Sequence, residues 1–195
     1  MKRAGNIYEK ITQKENIRKA ILSASKGKKR RTTVKDVIDN MDFYVCKIHN
    51  MLINKTYKPS PYSKLLIHDG TRKKERIIFK PKFYPDQIVH WALMNNIQPL
   101  LEKGMYDYTC ASIPDRGIHY GAKHLKKILV ADKKNTKYAL KLDIKKFYPS
   151  IDKEIMKRKF RRIIKDRDTL DLIDLIVDSS EGGLPIRKLY FTMVC

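Results

Sequence analysis

Residues 138–152 read YALKLDIKKFYPSID, and the change of period inside this stretch limits the folds open to the chain more than any other feature. Tyr138, Leu140, Leu142 and Ile144 fall in one row, while Ala139, Lys141 and Asp143 fall in the other. Alternation of this kind predicts a half-buried strand over 138–144. Asp143 then sits late on that strand, on the face away from the apolar row. Pro149 stops the strand. Ser150 or Asp152 is placed to cap a following helix that carries Ile155, Met156, Phe160, Ile163 and Ile164 along one side. A carboxylate at a strand end beside a basic surface suits phosphate-bound Mg²⁺. It suits a solvated turn equally well, and the local pattern does not choose.

Elsewhere the helical period dominates. Residues 6–25 read as weakly helical. KGKKRR at 26–31 is a basic connector, solvated or touching phosphates. Thr33-Val-Lys-Asp36 resembles a capping box, and Val34, Ile38, Met41, Val45, Ile48 and Leu52 form the clearest amphipathic stripe. KLLIHDGTRKKERIIFK at 64–80 predicts a hairpin, with Leu65–Ile67 and Ile77–Phe79 as strands and Asp69-Gly70 at the turn. Its tip and incoming strand carry Arg72, Lys73, Lys74 and Arg76, a set that suits phosphate or simply protects an edge from aggregation. Asp86 is expected to open a helix with Val89, Leu93, Ile97 and Leu101 on one face, kinked at Pro99 and ended near Gly104. His90 in it reads as structural. Arg116 lies in a Pro-Asp-Arg-Gly turn before a further stripe, Ile118, Ala122, Leu125 and Leu129. His119 and His124 are spaced poorly for a shared metal. A last helix is expected from about Asp168 to Val177, followed by the loop EGGLPI.

Composition matters for the partner. Forty-three Lys and Arg face 21 acidic residues, a formal net charge of +22 in 195 residues. Such an excess repels itself and points to a polyanion, of which nucleic acid is the commonest. A hydrophobic content of 42% still permits a core. No apolar run approaches a spanning helix, and MKRAGN lacks the apolar segment of a signal peptide, so neither membrane nor secretion is expected. Cys46, Cys110 and Cys195 are scattered, odd in number and form no CxxC pair, so neither a disulfide framework nor a zinc site is indicated, and a reducing cytoplasm fits. The phosphate loop GxxxxGKS, GxSxG and HExxH are all absent.

Four strings stand in a fixed order: ERIIFKPKFYPDQIVHWAL with its basic hairpin, YTCASIPDRGIHYGAKHLKKIL, YALKLDIKKFYPSID and EGGLPI. Together they resemble bacterial reverse transcriptases of the diversity-generating-retroelement group and, more distantly, group II intron enzymes, over roughly residues 30–186. The resemblance implies an α+β right-hand polymerase fold, mainly helical with a basic β-hairpin: fingers with N-terminal helices over 1–132, and a partial palm with returning fingers helices over 133–186. It implies that Asp143, with the carbonyl of Ile144, is the first metal-binding position. Arg76, with Lys73 or Lys74 beside it, would grip the incoming triphosphate. Tyr148 would lie under the nucleotide sugar, and Arg116 near template or nucleotide. Gly183, Leu184, Pro185 and Ile186 would form the loop that supports template-primer and nucleotide. The implied partners are an RNA template, a DNA primer and dNTP, with room for an accessory retroelement protein. The implied cofactor is Mg²⁺, or Mn²⁺ in its place, in the complete enzyme. These roles agree with polymerase chemistry, in which two cations clamp attacking and leaving oxygens and arginine neutralises phosphate.

Two-metal chemistry needs further carboxylates, and in this family they are an Asp-Asp pair downstream of the GLP loop. The chain contains no Asp-Asp dipeptide, and Asp152, nine residues beyond Asp143 at a helix start, is a poor substitute. The isolated chain is therefore expected not to polymerise DNA, and its incomplete palm to leave apolar surface open and the chain poorly stable or prone to aggregate. After LPI the tail reads RKLYFTMVC. One codon spelling of it, read one base later, gives GNYTSQWF, the kind of string the family carries there. Residues 187–195 are on this reading an out-of-frame tail. Two readings compete with a truncated polymerase: a non-catalytic RNA- or DNA-binding module that retains the basic fingers surface, and a basic helical RNA-binding protein without polymerase ancestry.

Overall fold

A computed structural model describes residues 2–69, 74–110, 113, 115–145, 147 and 150–179. Four helices come first: α1 (Tyr8–Thr12), α2 (Lys14–Ser25), α3 (Thr32–Asp39) and α4 (Met41–Ile53). Strands β1 (Ser63–Asp69) and β2 (Lys74–Lys80) follow as an antiparallel hairpin, with Leu66 opposite Ile77 and Leu65 opposite Ile78. An irregular turn at Phe83–Gln87, with Tyr84 extended (φ −110°, ψ 133°), leads into α5 (Ile88–Glu102). Then come α6 (Ile118–Ala131), α7 (Lys153–Ile163) and α8 (Arg167–Asp178). The chain is thus mixed helix and sheet, mostly helical, with a two-stranded sheet among the described residues. None of these helices is long and apolar enough to cross a membrane.

The core is built by helical stripes. Ile17, Ala20, Ile21 and Ala24 of α2 meet Val89, Leu93 and Ile97 of α5, and Val45, Ile48 and Leu52 of α4 close the same cluster. Met156 and Phe160 of α7 with Ile173, Ile176 and Val177 of α8 extend it. Phe160 is wholly buried, and a buried Phe side chain contributes about 1.5–3 kcal/mol of transfer free energy. On the α7–α8 surface, Lys157 Nζ pairs with Glu154 (2.8 Å) and Asp178 (2.7 Å).

Far-apart segments are stitched at the N-terminus. Ala4 N–H donates to the Ile163 carbonyl and Lys165 N–H donates to the Ala4 carbonyl, both at 2.8 Å. Asp166 Oδ2 accepts from the Ile7 and Tyr8 N–H groups at 2.7 Å each and from the Thr169 hydroxyl at 3.0 Å. One carboxylate therefore serves the start of α1, where N–H groups lack helical partners, and the first turn of α8. Partial burial pushes Asp166 up, but the hydrogen bonds from Tyr8, Thr169 and Ile7 outweigh it and hold the acid below its ordinary range.

Several expectations are corrected. The stripe from Val34 to Leu52 is two helices broken at Asn40 (φ −108°, ψ 38°). Thr33 caps nothing: α3 starts a residue earlier and Arg31 occupies the cap position. Asp86 does not open α5, which starts at Ile88. It is buried, and its Oδ1 accepts from the Tyr57 hydroxyl (3.0 Å) and the Ser60 N–H (3.2 Å). Beside that carboxylate, burial first and the Asp86 charge second push the Tyr57 hydroxyl pKa up. The largest correction concerns 138–144, which forms no strand. Its apolar row is open to solvent, with Tyr138 95%, Leu140 85% and Leu142 81% exposed. A strand persists through a ladder with a neighbour, and no described segment pairs with this one.

Candidate nucleic-acid interface

Asp143 lies in the unpaired run before α7 and is exposed. Ile144, next to it, is 58% exposed and lines a shallow cleft of about 240 Å³ with Phe147, Ile151, Ile155, Met156 and Lys159. Asp152 forms the polar end of this cleft, and its Oδ1 accepts from the Glu154 N–H (2.8 Å) and the Ile155 N–H (3.0 Å). Asp152, not Ser150, is thus the cap of α7.

Mg²⁺ demands near-octahedral oxygen ligands held on rigid backbone. Among the described residues no three His, Cys, Asp or Glu side chains come together as a metal group. Asp143 alone, on unpaired backbone, does not fit that ion, and no step through it follows from this chain's described residues.

Arg116 is half-buried and engaged within its own loop. Its Nη1 donates to the Asp107 carbonyl at 2.9 Å, and its guanidinium lies 5.4 Å from the Tyr120 ring centroid. Asp115 beside it has φ +61°, the left-handed region that Asp tolerates better than most residues. Tyr120 stacks at a tilt on His124, 4.3 Å between centroids, so His124 packs as an aromatic.

The basic hairpin stands where the sequence places it, with Arg76 opposite Ile67 and Lys74 opposite Asp69. The side chains of Lys74 and Arg76 lie outside the described set, as do the whole of Lys73, Tyr148, Gly183, Leu184, Pro185 and Ile186. Asp143, Ile144 and Arg116 are thus the assigned positions whose surroundings are described, and Arg116's bonded partners do not include Asp143.

His90 is buried in α5, and burial pushes its imidazole down to about 3, so it stays neutral across the ordinary pH range. That fits a structural part. No local pattern signals the bonds of Asp86 to Tyr57 and Ser60 or of Asp166 to Ile7 and Tyr8, whose partners lie 26 to 159 residues away.

No protein-family model matches this chain, and no curated protein matches it.

Proposed function

We propose that the chain is the front part of an RNA-directed DNA polymerase: fingers plus the first segment of the palm, able to hold nucleic acid and unable by itself to join nucleotides. The observation that carries the reading is the ordered series of four strings, with Asp143 and Tyr148 five residues apart and EGGLPI downstream. Two further points support it. The described strands pair as the antiparallel hairpin expected around the basic run Arg72, Lys73, Lys74 and Arg76 of the sequence, and the row 138–144 is apolar yet unpaired, as a palm strand without its sheet neighbours would be. In this reading Arg76 and its neighbouring lysines neutralise a triphosphate, and Asp143 becomes a metal ligand once further carboxylates stand beside it.

The test begins with the gene beyond the Gly182 codon. The other frame is expected to continue GNYTSQ and to reach a Tyr-x-Asp-Asp hairpin. A protein made with that frame restored should extend a primer on an RNA template with Mg²⁺, and Asp143→Ala should abolish extension while the 195-residue chain shows none. Extension by the short chain, or full activity of the restored Asp143→Ala protein, would sink the proposal. The competing reading, a binding module alone, is favoured by the net charge of +22 if no such frame exists.

A further inference from the structure

A second basic feature lies away from the hairpin tip. Lys28 and Arg31, from the connector after α2, face Lys80 and Lys82 at the hairpin base across a cleft of about 440 Å³. One carboxylate, Asp36, lies on its wall, and it is occupied by Asn40 Nδ2 (2.9 Å) and the Tyr44 hydroxyl (2.5 Å). Lys28 Nζ donates to Gln87 Oε1 at 2.5 Å. Burial, then the fields of Arg31 and Lys80, hold the Lys28 pKa below its ordinary value. Four cations converging on a cavity with one engaged carboxylate repel one another, and an anion in the cleft relieves that repulsion.

The cleft's rim is aromatic. Tyr44 and Tyr84 line it and meet edge to face at 4.9 Å between centroids. Phe43 continues this row, 5.3 Å from Tyr44, with 62% of its surface exposed. Lys47 Nζ sits 5.6 Å from the Phe43 centroid and 5.5 Å from that of Tyr84. An exposed ring beside clustered cations is the pairing that takes a phosphate backbone on one side and a base face on the other. In a duplex the base faces are covered by the stack, so Phe43 offers nothing to paired strands.

We propose that this cleft binds a single-stranded nucleic acid, with backbone phosphate held by Lys28, Arg31 and Lys80 and an unpaired base stacked on Phe43. It shares no residue with the positions assigned by resemblance to polymerases and stands independently of that reading.

The test is fluorescence anisotropy of the 195-residue chain with a labelled oligoadenylate and with a duplex of the same length, across a salt series. Paired Arg31→Gln and Lys80→Gln changes should weaken oligoadenylate binding about tenfold and flatten the log–log salt slope by roughly 1.4, the loss of two single-strand phosphate contacts. Phe43→Ala should weaken oligoadenylate about tenfold and leave duplex binding unchanged. Phe43→Trp, which keeps a stacking face, should retain binding and guards against misreading a folding defect. Lys133→Gln with Lys134→Gln, the same charge loss in the exposed turn after α6, is the control. Undetectable oligoadenylate binding, an equal loss in the control pair, or an unaltered Phe43→Ala protein would each overturn the proposal.

Discussion

Helices α2 and α6 carry the same kind of apolar stripe, and the structure treats them oppositely. In α2, Ile17, Ala20 and Ile21 are wholly buried against α5 and α4. In α6 no residue is buried; Ile118 is 89% exposed and Leu125 57%. The contrast extends outward to two regions. The first four helices, α5, α7 and α8 share one core, while 104–150 is an excursion between α5 and α7 whose described apolar residues mostly face water. Periodicity reports that a segment is suited to a partner, and burial reports that the partner is present. In the polymerase reading, the missing partner of the excursion is the remainder of the palm.

That contrast makes substitutions in the two regions differ most in denaturant. Phe160→Ala in the core should cost about 3–5 kcal/mol, read as a lowered urea midpoint. If it costs no more than a change in the excursion, the two-region picture fails.

Acid should act on the core next. His90 titrates near 3 when folded and about 6.5 when unfolded. Its contribution is complete above pH 6.5, and as pH falls from there to 3 the unfolded state takes up the proton first, so stability drops by about 1.4 kcal/mol per pH unit. His90→Phe should flatten the stability profile across that window, and an unchanged slope would show that the ring reaches water.

Asp166→Ala removes one acceptor from three donors and should cost about 1–3 kcal/mol in urea denaturation. Its folded acid is depressed, so its stabilisation is present above the unfolded value of 3.8 and is lost as pH falls below it. Asp166→Asn should blunt only that lower part of the acid profile, which separates it from His90.

A smaller loss is expected at the boundary of the two regions. Asp152→Ala unties two N–H groups of α7 and should cost about 1 kcal/mol, seen as a lower melting temperature. Last, Leu140→Ser with Leu142→Ser in the excursion should change stability by less than about 0.5 kcal/mol while reducing binding of an apolar dye. A large loss of stability there would mean that the row is packed after all.

Helices and hairpin were legible because each is a local pattern, whether or not a core partner covers it. The stripe on α5, the hairpin strands and the last two helices lie close to where spacing puts them. The break at Asn40 was hidden because the apolar spacing runs on across it from Ile38 to Met41. Alternation over 138–144 was read as half-buried, but burial belongs to a sheet and not to a sequence. At the candidate site, position before the stripe narrowed the cap to Ser150 or Asp152 and left the choice to the structure, whereas the facing of Lys28 and Arg31 toward Lys80 was not readable at all. About fifty residues separate connector from hairpin base, and only tertiary packing brings the two together.

The bonds of Ala4 to 163–165 and of Asp166 to Ile7 and Tyr8 bear on the order of events during synthesis. Contacts that join residues some 158 positions apart are made late, after the loop between them has been closed at an entropic cost. The first five helices can dock as they leave the ribosome, but the backbone of Ala4 and the N–H groups of Ile7 and Tyr8 do not reach these partners until α7 and the start of α8 have also emerged. A nascent chain halted before Ile163 would leave Ala4 and the N–H groups of Ile7 and Tyr8 without these partners, more open to proteases than in the finished chain.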